Sequence, residues 1–254
     1  MSLIEHLVEL RNRSAKSLAA LAVCVVVVFV FWEPAYDFLR QPYCDTRAGA
    51  ENCDLTAFGI FDQFKVRLRV AFIGGAIVSS PVWLYQLGAF ITPALHRKEK
   101  KYAAGFLAAA LLLFLVGTTF AYLTVSRGLD FLLEVGGGDI NTLLSIQSYL
   151  SFLTLCLLAF GVAFEFPVLV LFLNVVGVFP SSKMRAWRRG MILGIFTGSA
   201  LITPSQDPFT FCFMAIPIYL LYEACIVIAR LRERARRGSG EDYSGLADDE
   251  VSAL

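Results

Sequence analysis

Histidine and charge are both scarce in this 254-residue chain: there are two histidines, and only 17% of residues are charged. Soluble domains carry about 25% charged side chains, so a soluble globular fold is excluded. His6 and His96 lie far apart, and no histidine–cysteine spacing suits zinc, so neither a metal nor any other cofactor is implied. No G-x-x-x-x-G-K-[ST] phosphate loop is present. Thr197-Gly198-Ser199-Ala200 lacks the flanking glycines of a G-x-S-x-G nucleophile, and neither histidine falls in an apolar run. These absences argue against an enzyme. The basic leader of a cleaved signal peptide is missing too, since Glu5 and Glu9 precede any apolar run. No internal repeat suggests an inverted-repeat transporter, and no basic–aromatic surface suggests nucleic acid.

What the chain has in quantity is apolar sequence, 57% of residues, gathered into runs at about 18–32, 70–91, 102–125, 150–179, 191–202 and 209–229. A helix rises about 1.5 Å per residue and a bilayer core is about 30 Å thick, so most of these runs reach across as helices. The fifth is short, and the loops decide whether it crosses. Sixteen of the 22 Lys and Arg fall in alternate segments, at 11–16, 97–101, 183–189 and 230–237. The positive-inside rule places those segments, and both termini, in the cytoplasm. An even number of crossings follows, so the fifth run crosses, with the bilayer thinned around the last two helices. The expected fold is an all-α integral membrane protein of six transmembrane helices. Residues 1–230 form one membrane domain, and residues 231–254 a cytoplasmic tail that is basic, then acidic and disordered.

One charge interrupts the fourth run. Glu165 sits at its midpoint, where insertion scales place a carboxylate at about +2.5 to +3.5 kcal/mol. Either it lines a cavity or faces a partner, or it is a protonated acid bonded to a neighbouring span. Pro81, Pro167 and Pro217 also lie inside runs, and each frees a carbonyl four residues back, at Ile77, Ala163 and Phe213. The resulting bends either shape a concave bundle or are packed kinks. Trp32 and Trp187 stand at run ends, as interfacial anchors do. Cys24, Cys156, Cys212 and Cys225 read as buried small hydrophobes. Cys44 and Cys53 share one polar loop and form a disulfide if that loop faces an oxidising compartment; free thiols are the alternative.

The remaining polar residues of interest lie at the ends of the spans. Residues 2–10 read as a short amphipathic helix, with Ser2 and Glu5 as a capping box and Glu5 and Glu9 on one face. Glu99 lies in a basic loop, either as a solvated carboxylate or, with Glu9, as an acceptor for two guanidinium groups. Asp207 falls in the turn between the last two runs, where an Asx-turn is the plainer role. Asp62 precedes the second span and reads as its cap.

Five stretches in order make the chain similar to the TatC family of twin-arginine translocase subunits, over about residues 2–230. They are His6-Leu7-Val8-Glu9-Leu10-Arg11-Asn12-Arg13, then Ser80-Pro81-Val82-Trp83-Leu84-Tyr85-Gln86, and Phe90-Ile91-Thr92-Pro93-Ala94-Leu95 leading to Glu99. Phe160-Gly161-Val162-Ala163-Phe164-Glu165-Phe166-Pro167-Val168 follows, and Thr203-Pro204 through Asp207 precedes Ala215-Ile216-Pro217. The resemblance implies six tilted helices in a concave, glove-like shape, resident in the bacterial cytoplasmic membrane. It implies a receptor for folded proteins bearing twin-arginine signal peptides, driven by the proton-motive force. Glu9 and Glu99 would contact the arginine pair, with His6, Arg11, Arg13 and Phe90 around them, and Glu165 would face the concave side. Thr203, Asp207 and Gln86 would meet single-span TatA-type and TatB-type partners, and the chain would self-associate in the complex. Two rival classes remain at this point: a proton-coupled transporter of a small solute using Glu165, and a scaffold that only orders partner helices.

Overall fold

The computed structural model describes residues 3–46, 53, 55–91, 100–135, 145–203 and 208–238. Ten helices occupy them: α1 (Leu3–Val30), α2 (Trp32–Cys44), α3 (Asp62–Val78), α4 (Ser80–Ile91), α5 (Lys100–Val135), α6 (Ile146–Ala163), α7 (Glu165–Val175), α8 (Ser181–Ala186), α9 (Arg188–Ile202) and α10 (Pro208–Gly238). Among the described residues there is no strand, only an isolated bridge between Thr56 and Ser145. Four segments are long and apolar enough to cross a bilayer: Leu7–Val30, Ala104–Phe131, Ile146–Val175 and Thr210–Ala235. A fifth crossing is the pair α3–α4, bent by 53°. The sixth is α9, whose 15 residues reach only about 22 Å. Successive crossings run in opposite directions, so the start of α1, the end of α4 and the end of α10 share one end of the bundle. That end is called the near end below, and its opposite the far end.

The amphipathic opening does not form a separate helix. It runs unbroken into the first span as α1, because no Gly or Pro interrupts Leu3–Val30. The Ser2–Glu5 capping box lies outside the described side chains. The second span breaks at Ser79, where Pro81 opens the next helix. There the Trp83 indole N–H donates to the Ala76 carbonyl at 2.9 Å, satisfying an acceptor at the break. The fourth span breaks likewise at Phe164, three residues before Pro167, the third residue of α7. Pro217, by contrast, stays inside an uninterrupted α10. That helix runs through position 230 to Gly238, so the first part of the expected tail is helical. Residues 239–254 lie outside the described residues. Asp62 does not cap α3 forward; its carboxylate takes the Gly59 N–H at 2.7 Å and closes the preceding turn.

Two close approaches hold the crossings together. A Cβ on Gly75 would lie 2.8 Å from the Val25 nitrogen, so α1 and α3 touch backbone to backbone only because that side chain is missing. A Cβ on Gly117 of α5 would lie 2.7 Å from the Phe160 carbonyl of α6. Around that contact Phe120 packs on Phe160 and Phe164, with ring centroids 6.3 and 6.1 Å apart.

The far end carries a lid of α2 and the segment before α3. Tyr149 donates to the Leu39 carbonyl at 2.9 Å and Tyr122 to the Phe38 carbonyl at 2.8 Å, tying α2 to α6 and α5. A disulfide joins Cys44 at the end of α2 to Cys53, with their Cα atoms 5.0 Å apart.

Candidate functional site

Glu9 sits on α1 at the near end, half-buried, and it already holds a guanidinium. Arg13, one turn on, brings Nε to 2.9 Å and Nη2 to 2.6 Å of the same Glu9 oxygen. The i,i+4 spacing places the two side chains on one helix face. The Arg13 carbonyl in turn accepts the Ser17 hydroxyl at 3.1 Å. Arg11 is exposed on a different face. α1 packs against α4, which carries Phe90, half-buried, to the same end of the bundle. The His6 side chain and Glu99 lie outside what is described.

Glu165 is the first residue of α7, at the break in the fourth span. The break is fixed from three sides. Phe164 is buried against Phe120. The Cys225 thiol of α10 meets the Pro167 carbonyl at 3.4 Å. Phe172 of α7 packs edge-on against Phe106 of α5, with centroids 5.7 Å apart. The Glu165 side chain is only partly covered, yet its Oε1 is buried and bonded to nothing. A polar atom left in that state costs about 1–3 kcal/mol, and more if charged. Folding alone does not satisfy this oxygen.

Beside the break lies an apolar cavity of about 270 Å³ between α9, α10 and the residues flanking Glu165, namely Ala163 and Phe166. Gly194 and Gly198 form part of its wall, and a Cβ on either would meet nothing within 4 Å. With Gly190 they complete the spacing G-x-x-x-G-x-x-x-G along α9, which lets another helix approach closely in a membrane. Thr203 ends α9; it is buried, and its hydroxyl donates to the Ser199 carbonyl at 2.9 Å. Asp207 lies outside the described residues. Gln86 is not beside Thr203 in the packing: it belongs to α4, which packs on α1 and α5, whereas α9 packs on α10 and α8.

Two further carboxylates escaped the sequence reading. Glu223 sits inside the last apolar run and pairs with Arg188 at the start of α9, while Tyr219 donates to its other oxygen at 3.0 Å. Glu233 receives the Ser181 amide at 2.8 Å, the Ser181 hydroxyl at 2.5 Å and the Asn174 amide at 2.9 Å. It thereby fastens the end of α10 to the α7–α8 turn. Glu223 was legible as a charge in the 209–229 run. Glu233 was not, because its partners lie more than fifty residues away.

Six crossings, with one acid at the near end and another at mid-depth, define a polytopic membrane component of a transport system. Residues 5–217 match the family described as Sec-independent protein translocase protein (TatC). The chain belongs to the TatC family. A Sec-independent protein translocase protein TatC of Frankia casuarinae is 46% identical across the whole chain, which covers 73% of that protein. The TatC of Corynebacterium kroppenstedtii is 32% identical, also across the whole chain, with 67% of that protein covered. A crystal structure of the twin arginine translocase receptor TatC in DDM superposes with a TM-score of 0.77 at 32% identity, covering 88% of this chain and 99% of that one. The fold is accordingly the six-helix, glove-like arrangement expected of the family.

Proposed function

We propose that this chain is the signal-peptide receptor and core subunit of a twin-arginine translocase, exporting folded proteins across a bacterial cytoplasmic membrane with the proton-motive force. The observation that carries the reading is the Glu9–Arg13 contact within a TatC fold. A carboxylate that grips one guanidinium from its own helix has the geometry to grip an arriving one. On this reading the near end is cytoplasmic, and so are both termini, as the lysine and arginine distribution supports. Glu9 and Glu99 take the arginine pair, with His6, Arg11 and Phe90 shaping the surface around them and Arg13 as the resident partner of Glu9 that the arriving pair displaces. Residues 1–230 act as the membrane domain and 231–254 as its cytoplasmic tail.

The apolar part of the signal then enters the bundle, where Glu165 offers its unsatisfied oxygen to a polar group inserted beside it. Single-span TatA-type and TatB-type partners dock near Thr203 and Asp207, and the open glycine wall of α9 leads toward that end. Gln86 marks a second contact, on α4, and copies of the chain associate within the complex. No observation favours a small-solute transporter.

The test is site-specific crosslinking of a twin-arginine peptide to the membrane-inserted protein. Glu9→Ala and, separately, Glu99→Gln should each abolish the crosslink while the protein still inserts. Undiminished crosslinking in both would defeat the proposal. Replacing the peptide's arginines by lysine should also weaken it, because lysine cannot form the planar two-point contact.

A further inference from the structure

A cationic cleft lies at the far end, and the receptor reading makes no use of it. A cavity of about 530 Å³ opens between the end of α1, the start of α2 and the start of α3. Phe29, Trp32, Tyr36 and Phe64 supply aromatic walls, and Gln63 and Arg67 supply the polar ones. Arg67 is held in place by a neutral acceptor. Because α1 ends at Val30, the Phe29 carbonyl is one of the acceptors its last turn cannot satisfy. Arg67 donates Nε and Nη2 to it at 3.2 and 2.8 Å, with the guanidinium 4.4 Å from the Phe29 ring centroid. A guanidinium has five N–H donors, so this contact leaves donors over. Among the described residues no carboxylate lies within ion-pair distance of Arg67.

A fixed guanidinium with donors to spare and no described carboxylate beside it, in an aromatic cleft of this size, suits a phosphate carried on an apolar body. The position favours a lipid over a soluble anion. Trp32 marks the membrane boundary at this end, and Phe64 in the cleft wall and its neighbour Phe61 are 58% and 69% exposed, leaving apolar surface open at the cleft mouth. We propose that this cleft binds the head group of one anionic phospholipid, with Arg67 on the phosphate and the aromatic walls around the glycerol and upper acyl chain.

The test is native mass spectrometry of the purified full-length protein in detergent, titrated with phosphatidylglycerol or phosphatidylcholine. One phosphatidylglycerol should be retained at about tenfold lower concentration than phosphatidylcholine, the scale of one charge-assisted contact. Arg67→Gln should remove that preference. Ala57→Trp, which fills the cleft and leaves Arg67 intact, should remove it equally, and it decides the matter if Arg67→Gln does not fold. Lys65→Gln, an exposed cation outside the cleft, should change nothing. A preference that persists in both cleft variants, or that Lys65→Gln removes as fully, would overturn the proposal. Displacement of the lipid by excess glycerol phosphate would also overturn it, by assigning the cleft to a soluble phosphate.

Discussion

Glu9 and Glu165 are both carboxylates of one bundle, and the fold treats them in opposite ways. Glu9 lies at the near end with its charge compensated by Arg13 on the same helix. Glu165 lies at a break in a span, with one oxygen buried and unbonded. An i,i+4 helix pair is worth only about 0.3–0.5 kcal/mol, so Arg13 is a weak occupant that a better-placed guanidinium can replace. A buried, unbonded oxygen costs more than that pair contributes. The first acid thus has a partner it can exchange, and the second has an oxygen with none among the described residues. Under the proposed function, that difference would order two steps: capture at the end of the bundle, then insertion at mid-depth.

The largest effect should come from the acid that captures. Removing one Arg–carboxylate contact should weaken twin-arginine peptide binding about 5- to 150-fold. Titration of a fluorescent peptide against Glu9→Ala in detergent measures this directly. Next is the acid that waits. Glu165→Leu replaces an unbonded buried oxygen by an apolar group, so the purified protein should gain about 1–3 kcal/mol against thermal unfolding while export in cells is lost. A loss of stability would mean that Glu165 has a partner in the resting protein and that the contrast with Glu9 is false.

Glu223 stands between these extremes, since it is paired, but by Arg188 on another helix. Glu223→Gln should cost about 1 kcal/mol of stability and leave peptide binding unchanged. The smallest effect belongs to Arg13→Ala. It gives up about 0.3–0.5 kcal/mol of helix stability and removes the resident guanidinium, so the peptide should bind about twofold tighter. Weaker binding in that variant would make Arg13 part of the receptor surface and not its temporary occupant.

Much of this was readable from the amino-acid order alone. The apolar runs sufficed for six crossings, because burial in lipid is a local property. Pro81 and Pro167 marked two breaks for the same reason. Pro217 took the other course left open for such prolines, since α10 continues through it without an interruption. The helical continuation past Arg230 also went unread, since Glu233 fastens it to Ser181 and Asn174 through contacts that have no sequence signature. Glu9 was identified as an acid on a helix face, but not its engagement by Arg13, although the four-residue spacing allowed it. Glu165 was prominent as a lone charge. What no pattern could show is which of its oxygens the fold would leave bare.

The most direct test replaces Glu9, Glu99 and Glu165 together by Gln, in cells where this chain is the sole TatC and its native partners are present. The readout is the exported fraction of a folded fluorescent reporter carrying a twin-arginine signal. The account predicts that export falls to background while the variant inserts at normal abundance. Export at the wild-type level would contradict it.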